Sequence, residues 1–295
     1  MKTITIIGTG LTGCSFGLAL RKQGHFVIGC DKSKKNLEVA KQINAIDATS
    51  QSISLAVKQS TVVILAIPVD AIVEMLPSVL DVIPKTGVVI DVGSTKESIC
   101  QSIQHHPKRS QFIAAHPMAG SEQCGPAAAR ADLFNEKKVV ICERERSNRN
   151  SLDAAKDLFN QMGMGTIYLS PTQHDDTVAL VSHIPQLLAY AYAGMNDFNT
   201  IDENWESIAS SGFDSVTRLA ASPPEVWRPI LKQNNQHLIK RLRSLSWTLN
   251  KIADEFHHEA NPNIEIILNR AKRTRQTFEN KQSEILNNTE SNLTK

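Results

Sequence analysis

The chain has almost no net charge, no long apolar run and no paired-cysteine pattern. Lys and Arg number 32 against 30 Asp and Glu, a formal charge of +2 over 295 residues. Such a balance offers no field for gripping nucleic acid or an anionic membrane surface. No run of about 18 apolar residues occurs, so no membrane span is expected. The five cysteines, at 14, 30, 100, 124 and 142, are odd in number and lack a C-x-x-C. They form neither a disulfide nor a metal framework, and buried, reduced thiols in a cytoplasmic protein are expected. No signal-peptide pattern precedes the first strand, and neither an internal repeat nor an extended low-complexity segment is present. With 41% hydrophobic residues the chain can bury a sizeable core, in one or two domains.

The N-terminus carries the strongest local pattern. Ile4-Thr5-Ile6-Ile7 is an apolar, β-branched run that reads as a buried strand. It leads directly into Gly8-Thr9-Gly10-Leu11-Thr12-Gly13, and Ser15 to Lys22 then read as a helix. In such a turn Gly8 permits the tight bend, Gly10 lets a pyrophosphate approach the backbone, and Gly13 lets helix and strand pack closely. The phosphates would rest on unpaired N–H groups at the helix start. A second strand, Phe26-Val27-Ile28-Gly29-Cys30, stops at Asp31. That carboxylate lies about 20 residues past the glycines, where the ribose hydroxyls of a dinucleotide need one. It favours NAD over NADP, because a 2′-phosphate would meet like charge, although Lys32, Lys34 and Lys35 moderate that preference. A ligand-free glycine turn would leave the placement of Asp31 unexplained.

Strand and helix patterns alternate to about Ser170. Val62 to Ile67 is a strand ended by Pro68, Val88 to Ile90 closes at Asp91-Val92-Gly93-Ser94, and Phe112 to Ala115 closes at His116-Pro117. Lys138 to Cys142 and Thr166 to Leu169 read as two more. Near-continuous apolar strands joined by helices predict a parallel sheet covered on both faces. Ser170-Pro171-Thr172-Gln173 is a helix start with a capping Ser, Pro at the first position and Gln at the third. Pro185 should kink the helix that follows near Ser182 and His183. Ser222-Pro223-Pro224-Glu225 is a second start signal. Leu231, Leu238, Leu242, Leu245, Leu249 and Ile252 form a long apolar stripe, and Asn263 to about Gln282 reads as a further helix. The expected organisation is an α/β dinucleotide-binding domain over 1–170, an all-α domain over 171–282 and a disordered polar tail over 283–295. A stripe of this length asks for a partner surface, which points to a homodimer; the alternative is that the helices bury it among themselves.

In an open parallel sheet, ligands bind beyond the carboxyl ends of the strands. That directs attention to Pro68, to Asp91 through Lys96, and to His116 through Glu122. A dehydrogenase must take a hydride from carbon and a proton from the hydroxyl on that carbon. Neutral His116 can accept such a proton, and the Ser94 hydroxyl can hold the substrate oxygen in line. Taken singly, His116 could be structural, Ser94 a helix cap, His183 a core histidine and Arg218 a surface ion-pair partner.

Taken together, the segments resemble the prephenate dehydrogenases, including their arogenate and cyclohexadienyl relatives. The matching stretches are the glycine turn, Asp91-Val92-Gly93-Ser94-Thr95-Lys96, His116-Pro117-Met118-Ala119-Gly120-Ser121-Glu122, Ser182-His183-Ile184-Pro185, and Ser210-Ser211-Gly212-Phe213 leading to Arg218. They span roughly residues 1 to 260. The resemblance implies a nucleotide-binding domain followed by a helical dimerisation domain. It implies a cyclohexadienol substrate bearing a ring carboxylate, a C4 hydroxyl and a three-carbon side chain, oxidised at C4 by NAD with loss of CO2. His116 would take the hydroxyl proton and Ser94 would bond the same hydroxyl. Arg218 would grip a carboxylate, and His183, Gln186 and Ser121 would line the substrate pocket. Glu122 would join a polar network at the mouth.

Two departures stand out. Many relatives have His where this chain has Gln186, and Gln there is compatible with arogenate, whose side chain bears an ammonium. Asp214-Ser215 stands where many have Arg-Asp, which removes the expected basis for a gating ion pair involving Glu122. Two other readings are a β-hydroxyacid type dehydrogenase, for which Ser182 to Gln186 lacks the required Lys, and a non-catalytic NAD-binding sensor.

Overall fold

The computed structural model describes residues 1–120, 122–257 and 263–293. The first strand, β1 (Thr3–Ile7), is followed by α1 (Leu11–Lys22), β2 (Phe26–Cys30), α2 (Lys34–Gln42), β3 (Ala48–Thr49) and α3 (Ile53–Lys58). Then come β4 (Val62–Leu65), α4 (Val69–Val82), β5 (Val88–Asp91), α5 (Glu97–Ser102), β6 (Phe112–Pro117), β7 (Lys138–Cys142), α6 (Arg149–Gln161) and β8 (Gly165–Leu169). They build one eight-stranded sheet in the order β3-β2-β1-β4-β5-β6-β7-β8. Strand residues alternate between two cores. Ile4 and Ile6 pack with Phe16, Leu20, Phe134 and Phe159 on one face, and Ile7 and Leu65 pack with Ile72 and Leu76 on the other. Burial on both faces explains why these strands read as continuous apolar runs.

The expectation of a parallel sheet needs one correction. β6 and β7 pair antiparallel, with Ala115 opposite Ile141 and His116 opposite Val140, whereas the other pairs are parallel. A parallel return requires a long crossover, usually a helix. Between β6 and β7 the described residues hold only a short 3-10 turn, Pro126–Ala128. The apolar run of β7 marks its burial and carries no information about its direction.

After β8 come α7 (Pro171–Val178), a π-helical turn (Ala179–His183) and α8 (Ile184–Ala193). α7 opens on the expected capping box, with the Gln173 N–H bonded to Ser170 Oγ at 3.1 Å and the Ser170 N–H to Gln173 Oε1 at 3.0 Å. The kink expected at Pro185 takes the form of that π turn. A proline inside a helix leaves the carbonyl one turn earlier without its N–H partner, and a wider turn absorbs the mismatch. The short α9 (Trp205–Ile208) and α10 (Ser211–Thr217) lead to α11 (Pro224–Gln233) and α12 (Asn235–Glu255). α11 begins where expected, though Pro223 occupies its N-cap and no side chain caps it.

The first compact unit runs from Met1 to Leu238, well past residue 170. Trp227 and Ile230 of α11 join the core on the α4 side of the sheet, so these helices complete the covering of the strands. The second unit, Ile239–Lys295, contains the rest of α12 and α13 (Ile264–Leu293). α13 continues to Leu293, through much of the stretch that composition assigns to a disordered tail. Trp247, Leu249, Ile266, Leu268 and Phe278 of these helices are exposed. Four of the five cysteines are buried, while Cys124 is exposed. No helix among the described residues is long and apolar enough to cross a membrane.

Candidate active site

The glycine turn divides its labour by position. Gly8 has φ +96°, and a Cβ there would lie 2.3 Å from the Ala66 carbonyl oxygen. A Cβ on Gly13 would lie 1.8 Å from the Gly8 oxygen, so α1 could not approach β1 as it does. At Gly10 a Cβ would meet no protein atom within 4 Å, so the space beside it is open to a ligand. Gly10 is also the N-cap of α1, with no side chain bonded to its first N–H groups. Those free donors and that open space fit the pyrophosphate of a dinucleotide. Asp31 stands at the end of β2, held by Thr9 through its N–H (2.7 Å) and hydroxyl (3.0 Å) and by the Ser33 N–H (2.8 Å). Thr9 itself is fully buried, so it supports Asp31 from behind and does not line the cleft.

A cavity of about 770 Å³ opens beyond the carboxyl ends of β1, β4, β5 and β6. It brings together Gly10, Leu11, Thr12 and Pro68 from the nucleotide side with Ser94, His116, His183, Gln186 and Arg218. Gly8, Thr9, Gly13 and Asp31 lie outside its lining, and Gly8 and Gly13 act through the shape of the turn. Ser121 lies outside the described residues. Ser94 does not cap α5, whose N-cap is Lys96. Ser94 is half-buried and lines the cavity instead.

Beneath the cavity floor Lys96 forms a fully buried ion pair with Asp91. Asp91 also accepts the N–H groups of Gly93 (3.0 Å) and Ala115 (3.2 Å), tying the end of β5 to β6. Burial pushes the Asp91 carboxyl up, against the pull of Lys96 and of those two donors.

His116, the penultimate residue of β6, has Nδ1 2.8 Å from Nε2 of His174, whose Nδ1 is 2.6 Å from Oδ1 of Asp175. Burial, together with the neighbouring His174, Lys96 and His183, holds His116 well below the usual histidine range. It is therefore neutral at pH 7 and available as a base. Burial also lowers His174. Asp175 is held below the usual carboxylate range because His174 and the N–H groups of Glu97 and Lys96 outweigh the cost of its burial. His183 closes the π turn and is buried, which lowers its pKa to about 4. Its Nδ1 faces Nδ2 of Asn234 at 3.0 Å, and that amide also donates to the Asp175 carbonyl at 2.8 Å. His183 therefore accepts at Nδ1 and carries its hydrogen on Nε2.

Gln186, one turn further along, donates from Nε2 to the Leu219 carbonyl at 2.7 Å. That bond anchors the turn Arg218–Ala221. Arg218 meets Glu122 at 3.0 Å, both side chains being partly exposed. Glu122 thus takes part in an ion pair at the mouth with Arg218, a contact that does not involve residues 214 and 215.

The nucleotide-binding model of the prephenate dehydrogenases matches residues 16–168, and the dimerization-domain model of the same family matches residues 170–270. The chain belongs to the prephenate dehydrogenase family. It is 30% identical over 270 residues to the prephenate dehydrogenase of Bacillus subtilis, covering 89% of this chain and 72% of that one. It is 29% identical to the cyclohexadienyl dehydrogenase of Zymomonas mobilis, over 85% of this chain and 87% of that one. The crystal structure of the prephenate dehydrogenase of A. aeolicus, solved with hydroxyphenyl propionate and NAD+, superposes with a TM-score of 0.83 at 24% identity. It covers 94% of this chain and 98% of that chain and shares its fold.

Membership in the prephenate dehydrogenase family makes the chain an oxidoreductase with a Rossmann-like nucleotide domain and a helical C-terminal part. Three site residues escape the motif reading: His174, Asp175 and Asn234. Their one local signal is an adjacent His-Asp pair just inside a capped helix. Nothing nearby in sequence tells that this pair reaches β6, because 58 residues separate His116 from His174.

Proposed function

We propose that the chain oxidises and decarboxylates a cyclohexadienol acid, prephenate or arogenate or both, with NAD as hydride acceptor. The observation that carries this reading is the convergence of open glycine backbone, a neutral strand-end histidine, a hydroxyl and a guanidinium on one cavity. NAD, when bound, supplies the acceptor for the hydride leaving C4. Gly10 and the first N–H groups of α1 would hold its pyrophosphate, and Asp31 its ribose. The Asp31 carboxylate disfavours the extra phosphate of NADP. His116 takes the C4 hydroxyl proton through Nε2 while Ser94 holds that oxygen in line. As the ring carboxylate leaves as CO2, its bonding electrons enter the ring, which becomes aromatic, and the C4 oxygen takes back the proton from His116. NADH formation on adding prephenate or arogenate tests the proposal; no NADH from either acid refutes it.

Arg218 is suited to clamp a substrate carboxylate. Its present bond to Glu122 is a partly exposed pair, worth about 0–1 kcal/mol. A substrate carboxylate can displace Glu122 at little cost and gain a bidentate contact. Removing a charged hydrogen bond costs about 1.5–3 kcal/mol, so Arg218→Ala should raise KM roughly 10- to 150-fold with a smaller change in kcat. An unchanged KM would remove Arg218 from this role. Gln186 bears on the choice of acid. With its amide nitrogen given to Leu219, the carboxamide offers its oxygen, an acceptor suited to the ammonium of arogenate. Comparison of kcat/KM for the two acids is expected to favour arogenate.

The exposed apolar residues Trp247, Leu249, Ile266 and Leu268 of α12 and α13 fall in the region matched by the dimerization-domain model, which supports a homodimer through these helices. Light scattering should report twice the 32.5 kDa chain mass, and a monomer at micromolar concentration would exclude it. A cytoplasmic location accords with the four buried free thiols.

A further inference from the structure

We infer that His174 and Asp175 are positioning residues that dictate which ring nitrogen of His116 carries the hydrogen, and so aim its bare Nε2 at the substrate. The part concerning substrate rests on the function proposed above; the part concerning hydrogens rests on geometry alone.

The assignment runs outward from Asp175. Its Oδ1 accepts the Lys96 N–H at 2.8 Å and its Oδ2 accepts the Glu97 N–H at 2.9 Å. Backbone amides can only donate, so this carboxylate is held as an acceptor. His174 Nδ1, 2.6 Å from Oδ1, must therefore carry a hydrogen. His174 is fully buried, and a neutral ring with Nδ1–H leaves Nε2 as a lone pair. That lone pair faces His116 Nδ1 at 2.8 Å, so His116 donates from Nδ1 and its Nε2 is bare. The opposite tautomer of His116 would set two lone pairs against each other. The other charged or titratable neighbours are engaged elsewhere. Lys96 is paired with Asp91, and Nδ1 of His183 is bonded to Asn234.

The same line serves the base after it accepts a proton. The His116 imidazolium keeps its Nδ1–H bond to His174, with the Asp175 charge behind it. The arrangement follows the logic of a carboxylate that orients a catalytic imidazole, with one additional ring interposed. Asp175 also caps α5 from 78 residues away. A change at Asp175 would therefore mix structural and tautomeric effects, and His174 is the cleaner site to test.

The test uses the full-length protein labelled with 15N-histidine, with the His116 signals assigned by their loss in His116→Asn. In the unaltered protein His116 should show hydrogen on Nδ1. His174→Asn keeps a donor toward Asp175 but removes the acceptor that faces His116, so the Nε2–H form should become populated. Its kcat should fall about 10- to 1000-fold, short of the ~10⁴ that a wrong tautomer costs in the Ser-His-Asp triad, with KM values within about twofold. His174→Gln places a carboxamide oxygen near the lost Nε2 and should restore the Nδ1–H form and much of the rate. Hydrogen on Nε2 in the unaltered protein, or a tautomer unchanged in His174→Asn, overturns the inference. Because the tautomer is read without turnover, its outcome is separable from that of the proposed reaction.

Discussion

His116→Asn is expected to lower kcat about 10²- to 10⁴-fold, the range for loss of a positioned general base, with NAD affinity unchanged. The side chain lines the same cavity as Gly10, Ser94 and Arg218, yet it belongs to β6 and takes no part in the glycine turn. Binding of the dinucleotide therefore survives the substitution, as calorimetric titration with NAD would show, while the proton acceptor is lost. The pH profile provides an independent check. Neutral His116 is the reactive form, and protonation abolishes it. Because burial and the neighbouring His174, Lys96 and His183 lower its pKa, that form persists below the usual histidine range. The acid limb of kcat/KM should consequently fall well below pH 6.5, and it should vanish from the residual activity of His116→Asn. Turnover close to that of the unaltered enzyme would exclude the role.

The second large effect concerns stability. Lys96→Met is expected to cost about 3–5 kcal/mol, because it leaves a buried carboxylate without its counter-charge. Asp91 and Lys96 are both fully buried, and burial already pushes the Asp91 carboxyl up with Lys96 as the principal opposing influence. Asp91 also anchors the backbone of Gly93 and Ala115, so the loss should loosen the loop carrying Ser94 as well. Replacing both partners by apolar residues, Asp91→Leu with Lys96→Met, should recover only part of the loss, since no lone buried charge remains but the Gly93 and Ala115 N–H groups lose their acceptor. Urea unfolding at one fixed protein concentration measures both variants. A loss below about 1 kcal/mol for Lys96→Met alone would show that water reaches the pair.

How much of this was legible in the sequence depended on the range of each interaction. The glycine turn, the position of Asp31 after β2 and the capping box at Ser170 all arise within a few residues, and the pattern of residue types specifies them. The motif around His116 and the pair His183 and Gln186 likewise announce themselves, and the structure places them on one cavity. One reading gave way where a distant partner intervened, because Thr9 turned inward to hold Asp31. Glu122 meets Arg218 at the mouth, and the kink at Pro185 takes the form of a π turn.

Strand and helix identity, the nucleotide turn and the family were determined by the sequence alone, because spacing along the chain sets burial, turn geometry and backbone donors. The antiparallel course of β7, the packing of α11 onto the sheet and the alignment of His116 with His174 and Asp175 were decided only by tertiary structure. Each depends on groups far apart in sequence meeting in space. An apolar run or an adjacent His-Asp pair records that a residue will be buried, but not which partner it will meet there.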